Sequence, residues 1–179
     1  MEARLRDMLD HHDIWQVMLR YSRGIDRFDR ELLRSCYHDD AVDDHGIMVG
    51  EVEDFIDWAM GYHREYNSVH HHTITNHYCE IDGDTAHSET YYTFIAANHE
   101  SPHSLAIGRY IDRLERRSGE WRIANRVCIN EMVCDLTETA LPEDYKRMLT
   151  SSGPATRDRT DASYARPLVA RRPGSAQAG

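Results

Sequence analysis

The chain has no apolar run approaching the roughly 18 residues that a membrane-crossing helix needs. Its opening segment, Met1-Glu2-Ala3-Arg4-Leu5-Arg6, lacks the apolar centre of a secretory signal. Cysteine is sparse and dispersed: Cys36, Cys79, Cys128 and Cys134 form no Cys-x-x-Cys pair. Such thiols read as small buried hydrophobes, not as a disulfide set or a zinc site. No internal repeat is present. Positive charge is also short. The net charge is −10, and residues 151–179 carry five Arg against two Asp, which leaves −13 on the first 150 residues. A nucleic-acid partner needs a basic patch, so a body this acidic excludes one. These absences predict a cytoplasmic protein with neither a nucleic-acid nor a membrane partner.

What is present fits one α+β domain over residues 1–150, followed by a tail over 151–179. The length of 179 residues, with 40% hydrophobic and 29% charged residues, is enough for one real core. Ile14, Val17, Met18, Tyr21 and Ile25 make one helical stripe and predict a helix over 10–27, with Asp13 at its start and Gly24 weakening its end. Asp26 falls beside that stripe, so Tyr21 and Asp26 can both look inward. A short helix is predicted over 30–37 behind Asp29, and a longer one over 52–66 with Phe55, Ile56, Ala59 and Met60 inward. Between them, residues 37–46 read as a polar, solvated connector leading into a short strand. Its four Asp and two His match no calcium loop.

From Ser68 the period switches to two. Strands are predicted over 68–82, 85–99, 103–117 and 121–134, with turns at Asp82-Gly83-Asp84 and Arg117-Ser118-Gly119-Glu120. A last helix is predicted over 142–149. The tail beyond is too poor in apolar residues to fold alone and reads as flexible or draped over a neighbouring subunit. Helices followed by antiparallel strands imply a curved sheet covered on one face by helices, a cone with an interior pocket.

The stretch with the most chemistry is Val69-His70-His71-His72-Thr73-Ile74-Thr75-Asn76. On a strand, His70 and His72 share one face with Ile74 and Asn76, and His71 takes the other. A neutral imidazole facing inward is a ready general base near neutral pH. Only two of the three histidines can share a face, and no Glu-x-x-His or His-x-x-x-His completes a ligand set, so the triplet is not read as a metal site.

Five segments carry a resemblance: Tyr21-Ser-Arg-Gly-Ile-Asp26-Arg, the acidic turn Asp39-Asp40-Ala41, His72-Thr-Ile-Thr-Asn76, Asp82-Gly-Asp-Thr-Ala86 and Gly119-Glu-Trp121-Arg-Ile-Ala-Asn-Arg126. Their order over about residues 8 to 135 resembles that of SnoaL-like proteins of the nuclear transport factor 2-like superfamily. The resemblance is to the branch that holds scytalone dehydratase, bile-acid 7α-dehydratase and hexachlorocyclohexane dehydrochlorinase. It implies a cone-shaped α+β barrel, often trimeric, with an Asp–His dyad inside and no cofactor or metal. The implied roles are His72 as base and Asp26 as its orienting carboxylate. Tyr21 would polarise a carbonyl or aid a leaving hydroxyl, and Arg126 would reach into the cavity. The second carboxylate of one dehydratase falls near Ile95 here, and the second tyrosine of scytalone dehydratase has no clear counterpart.

Plainer roles exist for each residue. A lone histidine is ordinarily a core residue bonded to backbone, although the carboxylate at the partner position favours catalysis for His72. Asp26 could pair with Arg23 or Arg27 in solvent, Tyr21 could be a core aromatic, and Arg126 could sit on the wet face of its strand. Trp15, Trp58 and Trp121 read as packing, and His70 and His71 as structural or exposed. The functional expectation is a cofactor-independent, dehydratase-type lyase acting on a small, largely apolar cyclic molecule. The alternatives are an isomerase or cyclase using the same dyad, or a non-catalytic module for ligand binding or of the dioxygenase small-subunit kind.

Overall fold

In the computed structural model, which describes residues 1–170, the elements follow as α1 (Glu2–Asp26), α2 (Arg30–Arg34), β1 (Tyr37–Asp44), β2 (Val49–Glu51) and α3 (Val52–Tyr66). Then come β3 (Asn67–Asp82), β4 (Thr85–Asn98), β5 (His103–Arg117), β6 (Glu120–Leu136), α4 (Glu143–Leu149) and a 3-10 turn at Ala162–Tyr164. The six strands form one sheet in the order β2-β1-β6-β5-β4-β3. Every pairing is antiparallel except β1 with β6. The class is the expected α+β, with a curved, mostly antiparallel sheet. Strands β2 and β3 are the two edges and do not pair with each other, so the helices, not strand pairing, close the cone. Among the described residues no helix is long and apolar enough to cross a membrane.

Three expectations need correction. First, α1 starts at Glu2, so Asp13 lies in its interior and caps nothing. Buried Asp10 anchors the helix, accepting from Trp121 Nε1 at 2.9 Å and Arg116 Nη1 at 2.7 Å. Second, residues 37–44 are strand β1, not a solvated connector. Tyr37, Ala41 and Asp43 have no exposure at all, because β1 is covered by α3 and hydrogen-bonded to β6. Third, the strand parity of β3 changes partway along. The register slips between Ile74 and His77, so Asn76 leaves the face of His70 and His72, and Trp15 packs on His77 instead.

Gly24 does more than weaken the end of α1. A Cβ there would sit 2.8 Å from the backbone nitrogen of Leu33, so glycine is what lets α2 lie against α1. The core runs from that contact into the concave face of the sheet, through Ile14, Val17, Met18, Leu33, Phe55 and Ile123.

The described part of the tail folds over its own chain. Arg27 Nη1 donates to the Thr156 carbonyl at 3.2 Å, and the Tyr164 hydroxyl donates to Asp29 at 2.9 Å. Arg157 Nη1 reaches the His63 carbonyl at 2.9 Å and His70 Nδ1 at 3.2 Å. The expectation of flexibility for residues 171–179 lies outside the described residues.

Candidate active site

Asp26 is the last residue of α1, where the helix dipole disfavours a carboxylate. Its oxygens are satisfied from β3 instead. The His72 backbone N–H donates to Oδ2 and Oδ1 at 3.0 and 3.1 Å, and the His72 ring Nδ1–H donates to Oδ1 at 2.7 Å. The ring bond fixes the tautomer, leaving Nε2 with a lone pair. His72 lines a cavity of about 890 Å³ enclosed by α1, α3 and the concave face of the sheet. Phe94 packs against the ring, with centroids 4.9 Å apart.

His70 and His63 surround His72 but are tied to other duties. His70 Nε2–H donates to the Ile25 carbonyl at 3.2 Å, while its Nδ1 accepts from Arg157. Both nitrogens are therefore occupied, and the ring is held neutral. Burial, reinforced by the neighbouring His72, pushes its pKa down to about 4. His63 stacks on His70 with centroids 4.2 Å apart, and its Nδ1–H donates to Asn67 Oδ1 at 2.8 Å. Burial and the two nearby imidazoles push it down to about 2. Asp26, His70 and His72 lie close enough to suggest a cation site, yet the His70 nitrogen facing Asp26, Nε2 at 3.7 Å, carries the proton given to the Ile25 carbonyl, and Arg157 takes the other nitrogen.

The four residues expected in the site are placed differently. Asp26 and His72 are brought together, and Tyr21 lies in the cavity wall. Burial pushes the Tyr21 phenol well above its ordinary pKa, so it stays a hydrogen-bond donor. Arg126 does not line the cavity, and it is not on the wet face either. Its side chain is fully buried and bidentate on Asp112, with Nε–Oδ1 at 2.7 Å and Nη2–Oδ2 at 2.8 Å. Its guanidinium carbon stands 4.1 Å from the ring centre of Tyr21 and 4.3 Å from that of Tyr110. A buried cation requires such partners. Arg126 therefore braces Tyr21 from behind instead of reaching a ligand.

Sequence reasoning missed His45, Cys128, Tyr92 and Asn130, which share the cavity wall. The only hint was the Asp-x-His spacing of Asp43 and His45 within what read as a solvated loop.

Residues 6–127 match the family model described as the SnoaL-like domain. No curated protein sequence matches the chain. Among solved structures, LinA is similar at 20% identity and TM-score 0.72, covering 78% of this chain and 99% of its own. LinA-type3, a hexachlorocyclohexane dehydrochlorinase from Novosphingobium barchaimii, is similar at 19% identity and TM-score 0.71, with the same coverage of 78% and 99%. A scytalone dehydratase-like protein from Novosphingobium aromaticivorans is similar at 18% identity and TM-score 0.66, covering 75% of this chain and 92% of its own. At such identities the likeness is one of fold.

Proposed function

This chain belongs to the SnoaL-like domain family, and on that footing we propose that it is a cofactor-independent lyase of the dehydratase type. Its substrate is a small, largely apolar cyclic molecule. What carries the proposal is the Asp26–His72 pair at 2.7 Å, with the free Nε2 of His72 on the wall of a roomy cavity. His72 takes a proton from a carbon next to a carbonyl or at an activated ring position. Asp26 holds the ring and stabilises the imidazolium that forms. The flanking His63 and His70 stay neutral, so the new charge meets no neighbouring cation on either ring. Tyr21 donates to the oxygen on which charge develops. Apolar walls from Phe55, Trp58 and Phe94 suit a ring compound.

Cytoplasmic action and assembly as a trimer are proposed with it. In support, the convex face of the sheet leaves Val127, Ile111 and Tyr91 exposed on neighbouring strands. The catalytic proposal is tested with a panel of cyclic β-hydroxy ketones, following the ultraviolet absorbance of the conjugated enone formed by loss of water. His72→Ala, with an unchanged circular dichroism spectrum, is expected to lose turnover by roughly 10²–10⁴-fold. Turnover equal to wild type would remove His72 as the base.

A further inference from the structure

A second Asp–His pair faces the cavity that His72 faces. Three strands separate the two pairs in the sheet order: this one is at the end of β1, while His72 is on edge strand β3. Asp43 has no exposure. It accepts from the Tyr37 hydroxyl at 2.7 Å on Oδ2 and from the His45 ring Nδ1–H on Oδ1. A carboxylate buried this way, with one neutral phenol as its other partner, needs a counter-charge, and His45 is the group placed to supply it. The His45 ring is held flat against Phe55, with centroids 4.8 Å apart, and is flanked by Trp58 and Tyr110.

The remaining nitrogen of His45 is left for the thiol of Cys128, which in turn donates to the Tyr92 hydroxyl at 3.6 Å. That hydroxyl donates to Asn130 Oδ1 at 2.5 Å. Every bond in this row runs in one direction, away from His45. That polarity is satisfied when His45 carries both ring protons. Burial works against its charge, but the bonds to Asp43 and Cys128 outweigh it and lift the His45 pKa to about 9. The outward N–H of this cation thus meets only a thiol sulfur, a weak acceptor. A ligand oxygen would be a stronger one.

We propose that His45, paired with Asp43, is the general acid of this cavity and donates its Nε2–H to an oxygen of the substrate. The inference rests on the reading of His72 as the base. It assigns the substrate class as ring compounds carrying a hydroxyl leaving group or an acidifying carbonyl at a distance from the labile C–H. In dehydration, the C–H proton passes to His72 Nε2 and the C–H electron pair becomes the new C=C bond. The C–O bond breaks, its pair stays on oxygen, and that oxygen takes the proton of His45 and leaves as water. His72 ends protonated and His45 neutral. Exchange with solvent restores both.

The test uses 4-nitrophenolate, a ring oxyanion whose absorption band moves when its oxygen accepts a hydrogen bond. The wild-type protein is expected to bind it at neutral pH with such a shift. His45→Gln is expected to bind at least roughly tenfold more weakly, the scale of a charge-assisted bond. Equal affinity in the two proteins, or no binding to the wild type, overturns the proposal.

Should His45→Gln fail to fold, the wild-type pH profile decides. Phenolate affinity is expected to hold through neutral pH and fall as pH passes about 9, where His45 loses its proton. The titratable groups facing His45 are Asp43 from β1, Cys128 from β6 and Tyr110 from β5, while α3 presents the neutral rings of Phe55 and Trp58. Tyr110 is pushed far above its ordinary range by burial. Cys128→Ser separates the thiol: the fall is expected to persist in it, moved to lower pH because the thiol's share of the lift is gone, and a fall that disappears with the thiol overturns the assignment to His45. A protein inactive as His72→Ala, yet binding phenolate equally well with and without His45, would refute this inference alone.

Discussion

His72 has one ring nitrogen committed to Asp26 and one left for chemistry, and this division depends on the charge of the carboxylate. Asp26→Asn keeps the shape but takes away the charge that stabilises the imidazolium. We expect kcat to fall about a hundredfold or more with a much smaller change in KM, measured on any substrate the panel identifies. Other histidines govern stability. His63 and His70 have pKa values of about 2 and about 4 in the folded protein, below the 6.5 of a free histidine. The unfolded chain therefore binds more protons below pH 6.5, and stability falls as pH drops from there through 4. His45 works in the opposite sense. Its folded value of about 9 lies above 6.5, so its contribution is complete below 6.5 and is lost as pH rises through 9. Urea unfolding from acid to alkaline pH is expected to show a maximum near 6.5. Each histidine contributes a slope of up to about 1.4 kcal/mol per pH unit on its own side. A profile flat between pH 4 and 6.5 would mean that His63 and His70 are accessible to protons in the folded state.

At the scale of elements, the cavity depends on how β5 and β6 bend. The register between them slips at Ile107/Gly108, and a Cβ on Gly108 would lie 2.1 Å from the Ile129 carbonyl and 2.7 Å from the Tyr92 hydroxyl. Glycine is required here because backbone cannot move aside as a side-chain end can. Its absence of bulk lets Tyr92 stack on Tyr110 at 4.6 Å within the cavity wall. Gly108→Ala is expected to cost about 1–3 kcal/mol, read as a lower urea midpoint with an unchanged slope. A midpoint equal to wild type would show that the strand pair can open to admit a methyl group.

For the whole molecule, the charge is −10, yet the convex sheet face presents Val127 beside Ile111, with Tyr91 and Ile95 on the next strand. Exposed apolar side chains on adjacent strands are a common mark of an interface. If the proposed trimer uses this face, Ile111→Glu with Val127→Glu should yield monomers in sedimentation velocity while the wild type sediments as a trimer. A trimer that survives both charges would place the interface elsewhere. Since these residues point away from the cavity, the same variant separates assembly from turnover.

The sequence by itself determined the class of fold and the order of its helices and four long strands. Period-two patterning and glycine turns are local signals, and they place β3 to β6 within a residue or two of where they lie. Adjacent residues also made Asp26 and His72 candidates one by one, but it was the resemblance to SnoaL-like proteins that joined them as a pair. Tertiary structure decided the rest, because facing and burial depend on partners distant in the chain. A register slip in β3 turned Asn76 away and His77 inward. Pairing with β6 converted an acidic stretch that reads as solvated into a buried strand holding Asp43. Asp112, supplied by the neighbouring strand, drew Arg126 into the core, where its charge is compensated, and away from the cavity. No local pattern encodes those neighbours; they exist only once the sheet has formed.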